Sequence, residues 1–308
     1  MARQRFQDLG FGTTAAEALA RLINRDGSFN VRRNGLSFFT TFSSYHYLIQ
    51  ISWWKFNALI LISYILINAF FGAIYFAIGT GGLNGVDGVS LSERYLQSVF
   101  FSTQTFTTVG FGRIAPVSTL ANITSAFESL AGLLSFALAT GLLYGRFSRP
   151  VARIIFSHHG IITSFQDMTG FMFRIANQRT NQLIDVSATV TLSRLEEIGN
   201  GRRVRRFHEL DLERDRVNFF HLSWTVVHPI DTRSPLFGVT KQQLDDSDAE
   251  FLIIIKAFDD TFSTTVHTRT SYKSKEVIFN GRFKPIIRTA PDGITEIDLD
   301  KIHDYDLV

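Results

Sequence analysis

The chain has 308 residues, enough for two domains, with 45% hydrophobic residues and a formal net charge of +3. No module of interleaved basic and aromatic residues accompanies this small positive charge, which argues against a nucleic-acid partner. The absence of cysteine excludes disulfides, thiolate metal sites and a cysteine nucleophile.

The amino-terminal part divides into two predicted segments. Residues 1–44 are polar, with a turn signal at Asp26–Gly27–Ser28, and we interpret them as an arm. Residues 45–55 are rich in aromatic side chains and predict a helix lying in the membrane interface. The alternative, which stays open, is that this stretch begins the first spanning helix with an aromatic belt.

Two long apolar segments predict a membrane hairpin. Residues 56–79 contain no charged side chain, and residues 119–146 hold Glu128 as the only charge before Arg146. Each is long enough for a bilayer core of roughly 30 Å. Basic residues flank the outer ends of the pair, so both termini are expected in the cytoplasm. The localisation that this indicates is an integral membrane protein.

Between the spans, Ser90 and Glu93 have the spacing of a capping box. The helix that they begin, predicted over 92–106, is too short to cross a bilayer and must therefore be re-entrant. It leads into residues 107–112. A glycine string alone is usually a turn, but its place after a re-entrant helix and between two spans favours a potassium pore.

Potassium entering such a pore exchanges its water shell for rings of backbone carbonyls. Gly110 and Gly112 permit the unusual dihedral angles that this requires. We predict that the Thr108 hydroxyl contributes to the innermost ion site and that the carbonyls of Thr108, Val109, Gly110 and Phe111 line the others. The side chains of Val109 and Phe111 are expected to pack outward as a cuff.

Residues 151–308 read as an antiparallel β-sandwich, because short alternating segments are separated by turn residues. The predicted strands are 171–175, 184–192, 204–212, 219–227, 251–258 and 277–287, with one short helix over 240–247. No metal-ligand spacing, nucleotide loop or catalytic triad is visible in the sequence, so an enzyme is not expected.

Four strings together resemble the inward-rectifier (Kir) potassium channels, most closely the prokaryotic members. They are Asp26–Val31, Thr108–Gly112, His228–Asp231 followed by Ser234–Leu236, and Arg269–Tyr272. The resemblance implies a homotetramer with three identical partner subunits, a slide helix at 45–55 and a cytoplasmic immunoglobulin-like sandwich that extends the pore. It also implies passive K⁺ conduction without a cofactor, and its prokaryotic character implies a bacterial inner membrane. A membrane-anchored sensor or scaffold is the alternative.

The second span carries a candidate inner gate. Phe136, Thr140 and Tyr144 are four residues apart and share one helix face. They either form apolar constrictions that close by dewetting or pack between helices. The resemblance favours the gate, and because Phe136 stands where strongly rectifying members have an acid, we expect weak voltage-dependent block by polyamines or Mg²⁺. Voltage gating is a further expectation. Gly132 and Gly141 are candidate hinges, although close packing is the commoner use of such glycines.

Three positions near the filter depart from the family pattern. Phe111 replaces the commoner tyrosine, so the bracing hydroxyl is missing. Gln104 stands at the position of an acid that pairs with a base in animal relatives, which leaves Arg113 without an obvious partner. Glu128 is the one ionisable residue at membrane depth, and we expect Thr105 or Gln104 to hydrogen-bond it.

Charged residues at the membrane edge suggest regulation. Lys55, Arg146, Arg149 and Arg153 are candidate ligands for anionic lipid headgroups, since each cation near an anionic leaflet gains about 1 kcal/mol. A purely topological role is the alternative. The resemblance places a cytoplasmic pore loop at 257–265, where Asp259 and Asp260 either attract cations or form a solvated turn.

Overall fold

The computed structural model describes residues 21–31, 35, 43–79, 81–87, 90–148, 152–179, 181–197 and 201–308. They form two compact units: a helical unit within residues 35–149, and a β-rich unit that combines the described parts of 1–34 and 150–308. Most of the predicted arm, and Arg149 among the candidate lipid ligands, lie outside the described residues.

Four helices build the helical unit: α1 (Ser44–Gln50), α2 (Trp53–Ile78), α3 (Leu91–Phe106) and α4 (Thr119–Phe147). Two two-residue strands, β1 (Leu83–Asn84) and β2 (Ala115–Pro116), pair antiparallel in the segments on either side of α3. By length and composition, α2 and α4 are the two described helices able to cross a membrane.

The predicted interfacial helix over 45–55 needs correction at its end. Helix α1 stops at Gln50, since Ile51 and Ser52 have extended ψ angles of 155° and 153°, and Trp53 already belongs to α2. Ser43 caps the start of α1 by accepting from the backbone N–H of His46. The aromatic stretch is therefore shared between a short separate helix and the first turn of the span.

Helix α3 starts one residue before the predicted position and has both halves of its capping box. The Ser90 hydroxyl accepts from the Glu93 N–H at 3.2 Å, and the Glu93 carboxylate accepts from the Ser90 N–H at 3.1 Å. Its 16 residues span roughly 24 Å at 1.5 Å per residue. That length is below the thickness of a bilayer core, as expected for a re-entrant helix.

Two five-stranded sheets form the β-rich unit. The first has the order β11-β10-β6-β7 with β8 also on β6, and the second has the order β12-β4-β5-β3 with β9 also on β5. The strands are β3 (Ile154–Phe156), β4 (Gly160–Phe165), β5 (Met168–Asn177), β6 (Leu183–Glu197), β7 (Arg203–Glu209), β8 (Arg216–Phe220), β9 (Ser223–Ile230), β10 (Glu250–Asp259), β11 (Thr264–Lys273) and β12 (Val277–Phe279). Two further antiparallel pairs are β13 (Gly281–Phe283) with β16 (Tyr305–Leu307), and β14 (Ile287–Thr289) with β15 (Thr295–Ile297).

The sandwich is not wholly antiparallel, because β12 pairs parallel to β4. A parallel pair needs a long crossover connection, and here the chain between β4 and β12 includes β5 to β11. The chain then reaches β12 from β11 through a 3₁₀ helix at Ser274–Glu276. The predicted strand 219–227 is two strands, β8 and β9. Helix α5 (Lys241–Asp246) agrees with the predicted short helix and carries a capping box from Thr240 to Gln243.

Apolar residues from both sheets fill one core. The rings of Phe171 and Phe251 stack with centroids 4.1 Å apart, and both side chains are almost fully buried. The described part of the arm also packs on this unit. Leu22 and Ile23 are buried, and their backbone N–H groups donate to the Glu250 carboxylate at 2.9 and 3.2 Å. The arm sequence did not predict this docking.

Candidate functional site

The backbone of the glycine string departs from a strand in a regular way. Thr108, Gly110 and Gly112 have positive φ angles of 59°, 54° and 79°, whereas Val109 and Phe111 between them do not. An extended strand points successive groups to opposite sides. A left-handed residue at every second position breaks that alternation, as a segment must do if its carbonyls are to face one pore axis. The positive φ of Thr108 was not predicted. A β-branched residue in this region is strained, and such strain clusters at functional sites.

The string is fixed to the end of α3 by backbone hydrogen bonds. Thr108 N–H donates to the Thr105 carbonyl at 3.1 Å, and Val109 N–H donates to the Gln104 carbonyl at 2.9 Å. The carboxyl end of α3 therefore leads directly into the string, and its dipole favours a cation there.

Side chains along the string are exposed within the single chain. Val109 is 53% exposed and Phe111 78% exposed, so the predicted outward cuff is not covered by this chain's own residues. The cuff stays a prediction. Within the described part of the chain, the Arg113 side chain makes no hydrogen bond or ion pair, and whether the assembled tetramer supplies it with a partner also stays a prediction.

Glu128 has different partners from those predicted. Its side chain is fully buried, its Oε2 accepts from the Tyr75 hydroxyl at 2.7 Å, and its Oε1 lies within hydrogen-bond reach of the Ser102 hydroxyl. Thr105 instead donates to the carbonyl of Phe101 in its own helix. The prediction was wrong because it considered only α3 near the filter, whereas α2 also contributes a side chain to this site.

Gly132 serves close packing. A Cβ at this position would lie 2.0 Å from the Phe106 carbonyl oxygen, which is backbone at the end of α3. Helix α4 continues through Gly132 and Gly141 from Thr119 to Phe147. The hinge prediction for Gly132 is therefore corrected to a contact with α3. A Cβ added at Gly141 would meet no described atom within 4 Å, and its hinge role stays a prediction.

The three candidate gate residues lie on a face of α4 that this chain's other helices leave uncovered. Phe136 and Tyr144 are each 74% exposed, and Thr140 is exposed as well. The two aromatic rings therefore do not pack between helices of the same chain. The gate assignment stays a prediction.

The Arg146 side chain is bonded to other groups of the helical unit and is not a free cation. Its guanidinium donates to the carbonyls of Leu48 and Ile51 at 2.6 and 2.7 Å and lies over the rings of Trp53 and Phe56 at 4.6 and 4.5 Å. Because these groups use most of the guanidinium, Arg146 is corrected from a lipid ligand to a link between α1 and α4. Lys55 and Arg153 are exposed.

The two aspartates of the predicted pore loop differ. Asp259 is fully buried, where its carboxylate accepts from the Asn181 side-chain amide at 2.8 Å and from the Thr261 N–H at 3.0 Å. This corrects Asp259 from a cation-attracting residue to a turn-forming residue. Asp260 is exposed, and its role stays a prediction.

Comparisons with known proteins cover both units. Residues 154–308 match the family model of the inward rectifier potassium channel C-terminal domain, and residues 63–149 match an ion channel family model. The chain is 39% identical over 285 residues to the inward rectifier potassium channel Kirbac3.1 of Paramagnetospirillum magnetotacticum, covering 92% of this chain and 95% of that relative. It is also 24% identical over 312 residues to the G protein-activated inward rectifier potassium channel 2 of Rattus norvegicus and of Homo sapiens, covering 93% of this chain and 72% of each relative.

These matches overturn the prediction of voltage gating, since they are to inward rectifiers. The helices agree with this correction. Within α2 and α4 the charged residues are Lys55, Glu128 and Arg146, whereas a voltage-sensing helix carries several arginines that move through the membrane field.

Proposed function

This chain belongs to the inward rectifier potassium channel family, and from that premise we infer how its residues conduct potassium. It is an integral membrane potassium channel of homotetrameric fold and not an enzyme, and K⁺ is its permeant ion. The observation that carries the residue assignment is the left-handed backbone at every second position from Thr108 to Gly112.

We assign the selectivity filter to residues 108–112. In a fourfold assembly, the carbonyls of Thr108, Val109, Gly110 and Phe111 would form stacked oxygen rings, and the Thr108 hydroxyl would complete the innermost site. Two observations support this assignment. The strained φ of Thr108 is of the kind that clusters at functional sites, and two backbone hydrogen bonds join Thr108 and Val109 to the end of α3.

Potassium flux into liposomes containing the purified tetramer tests the assignment. Gly110→Ala is expected to abolish K⁺-selective flux, because Gly110 has φ +54° and an added Cβ strains that backbone. Gly293→Ala is the matched control, since Gly293 has φ +83° in a turn of the β-rich unit. Unchanged selective flux in Gly110→Ala would refute the filter assignment. If the wild-type protein shows no K⁺ flux, the alternative of a membrane-anchored sensor or scaffold is favoured.

We propose that Phe136, Thr140 and Tyr144 line the inner pore, with Gly141 as a bending point. Their exposure on one face of α4 supports this, and apolar rings from four chains would close the pore by dewetting. Tyr144→Ser should raise resting K⁺ flux. Block by polyamines or Mg²⁺ should be only weakly voltage-dependent, and steep block in a purified-channel recording would contradict the assignment of Phe136.

Lys55, Arg149 and Arg153 are the remaining candidates for binding anionic lipid headgroups. Each cation near an anionic leaflet gains about 1 kcal/mol, roughly a fivefold effect on headgroup affinity. Lys55→Gln should therefore change the dependence of K⁺ flux on the anionic lipid fraction of the vesicles, with Arg146→Gln acting differently by disturbing α1. An identical lipid dependence in Lys55→Gln would remove that residue from the site.

We further propose that the channel lies in a bacterial inner membrane, on the basis of its identity to Kirbac3.1 of Paramagnetospirillum magnetotacticum. Both termini are proposed to lie in the cytoplasm, because basic residues flank the outer ends of the two spans. The chain has no cysteine, so a single Asp292→Cys variant reports the location of the β-rich unit. Labelling of intact cells by a membrane-impermeant thiol reagent would contradict the proposed orientation.

A further inference from the structure

A chain of buried polar groups joins all three long helices of the helical unit. Tyr75 and Asn68 belong to α2, Ser102 to α3 and Glu128 to α4, and each of these side chains is at most 2% exposed. The carboxyl of Glu128 lies between the hydroxyls of Tyr75 and Ser102. The Ser102 hydroxyl also lies 3.3 Å from Asn68 Oδ1.

The number of hydrogens available for donation decides the protonation state of Glu128. A serine hydroxyl has one hydrogen to donate, yet Ser102 faces two oxygens, Glu128 Oε1 and Asn68 Oδ1. If Glu128 were ionised, Ser102 would have to donate to the carboxylate, and Asn68 Oδ1 would have no donor. If Glu128 is protonated, it donates to Ser102, and Ser102 donates to Asn68.

Rotating the Asn68 amide does not remove this conclusion. Asn68 Nδ2 donates to the Tyr64 carbonyl at 2.7 Å. Exchanging the amide nitrogen and oxygen would bring two acceptor oxygens to that distance and lose the hydrogen bond. The orientation with Oδ1 toward Ser102 is therefore the one in which every oxygen meets a hydrogen.

The membrane setting favours the same state. No ion pair involves Glu128 among the residues that the structure describes, and an uncompensated charge at membrane depth is expensive. We propose that Glu128 is held as the neutral carboxylic acid, donates a hydrogen bond to Ser102, and acts as a positioning residue that fixes the pore helix α3 between α2 and α4. A donor sequence then runs from Tyr75 through Glu128 and Ser102 to Asn68.

This position allows the chain of hydrogen bonds to support the filter, and the inference rests on the filter assignment proposed above. Ser102 and Phe106 are one helical turn apart on α3, and Glu128 and Gly132 are one turn apart on α4. The Phe106 carbonyl touches Gly132, and the filter begins two residues later. Phe111 has no hydroxyl that could support the filter. The hydrogen-bonded side chains of Tyr75, Glu128, Ser102 and Asn68 therefore support it from behind the pore helix.

Two measurements on the reconstituted full-length tetramer test the proposal. Infrared spectroscopy at neutral pH should show the carbonyl band of a protonated carboxylic acid, and Glu128→Gln should remove it. Liposome K⁺ flux should be nearly unchanged in Glu128→Gln, because the glutamine amide donates to Ser102 and its oxygen accepts from Tyr75. Glu128→Leu removes both hydrogen bonds and leaves the Tyr75 and Ser102 hydroxyls buried without these partners. The cost of unpaired buried groups corresponds to a change of about tenfold or more in the population of the supported filter, so flux should fall about tenfold or more.

Ser102→Ala serves if Glu128→Leu does not assemble, and it should lower flux about fivefold or more. The proposal is overturned if wild-type protein lacks the carboxylic acid band, or if Glu128→Gln loses as much flux as Glu128→Leu. A wild-type channel without K⁺ selectivity would instead overturn the filter assignment, because the infrared band reports Glu128 independently of conduction.

Discussion

The helical and β-rich units bury their apolar residues in opposite ways. In the most apolar windows of α2 and α4, only 17% and 11% of residues are buried within the chain. In the β-rich unit, strands from both sheets enclose a continuous core that includes Phe171, Phe173 and Phe251. An exposed leucine therefore has a different meaning in each unit, since apolar side chains are expected on the outside of a membrane-spanning helix.

Charges follow the same division. All ion pairs among the described residues lie in the β-rich unit, including the pair of Arg205 and Asp248, in which the arginine side chain is fully buried. The helical unit instead joins its three long helices through the side chains around Glu128 and through the contact at Gly132, and the Arg146 guanidinium joins α4 to α1 by bonds to backbone carbonyls and not by an ion pair. This difference is expected, because ion pairs near water are readily compensated while charges at membrane depth are not.

The largest expected loss of stability comes from opening the core of the β-rich unit. Phe251→Ala removes a fully buried ring stacked on Phe171 and should lower the free energy of unfolding of this unit by about 3–5 kcal/mol. Ile254→Ala on the same strand is the control, because Ile254 is 46% exposed. Denaturant unfolding of the full chain, followed by tryptophan fluorescence in a Trp53→Phe, Trp54→Phe background that leaves Trp224 as the reporter, measures both variants. Equal losses would contradict the placement of Phe251 in the core and of Ile254 outside it.

A smaller loss is expected from the glycine contact in the helical unit. Gly132→Ala places a Cβ against the Phe106 carbonyl, and such overpacking costs about 1–3 kcal/mol. Gly141→Ala meets no neighbouring described atom and should leave tetramer stability unchanged. The fraction of tetramer that survives heating in detergent compares the two variants. If both lose stability equally, bending of α4 and not close packing explains Gly132.

The smallest effect is a pH dependence confined to the β-rich unit. His228 is buried, its Nδ1–H donates to the Asp211 carbonyl at 2.5 Å, and its Nε2 accepts from the Ser234 hydroxyl at 2.7 Å. Burial lowers the pKa of His228, although the Asp211 carbonyl opposes this. Below about pH 6.5 the unfolded histidine binds a proton that the folded one does not. Stability from this group is therefore complete above about pH 6.5 and is lost as pH falls.

Unfolding midpoints measured about one unit above and one unit below pH 6.5 check this sign. His228→Gln should show a smaller loss of stability on acidification than the wild type, whereas His267→Gln, at an exposed position, should show the same loss. A wild-type midpoint that rises on acidification would contradict the lowered pKa of His228.

Prediction from sequence succeeded where the signal is local. The Ser90–Glu93 capping box and the two apolar runs predicted α3 and both spans within three residues. Strand β11 was missed because it has few apolar residues, Val266 and Tyr272 being the buried ones, and its place depends on pairing with β10. The partners of Glu128 were also missed, since Tyr75 lies 53 residues away in the chain.

The sequence alone determined the class of this protein: two apolar spans, a short capped helix and the Thr108–Gly112 string specify a potassium pore by length, spacing and residue type. Tertiary structure decided what individual polar residues do. It made Arg146 a link between α1 and α4, placed Asp259 in a buried turn and enclosed Glu128 between the hydroxyls of Tyr75 and Ser102. The reason is physical: spans and caps depend on neighbours in sequence, whereas the partners of a buried polar group are chosen by helices and strands that meet only in the folded chain.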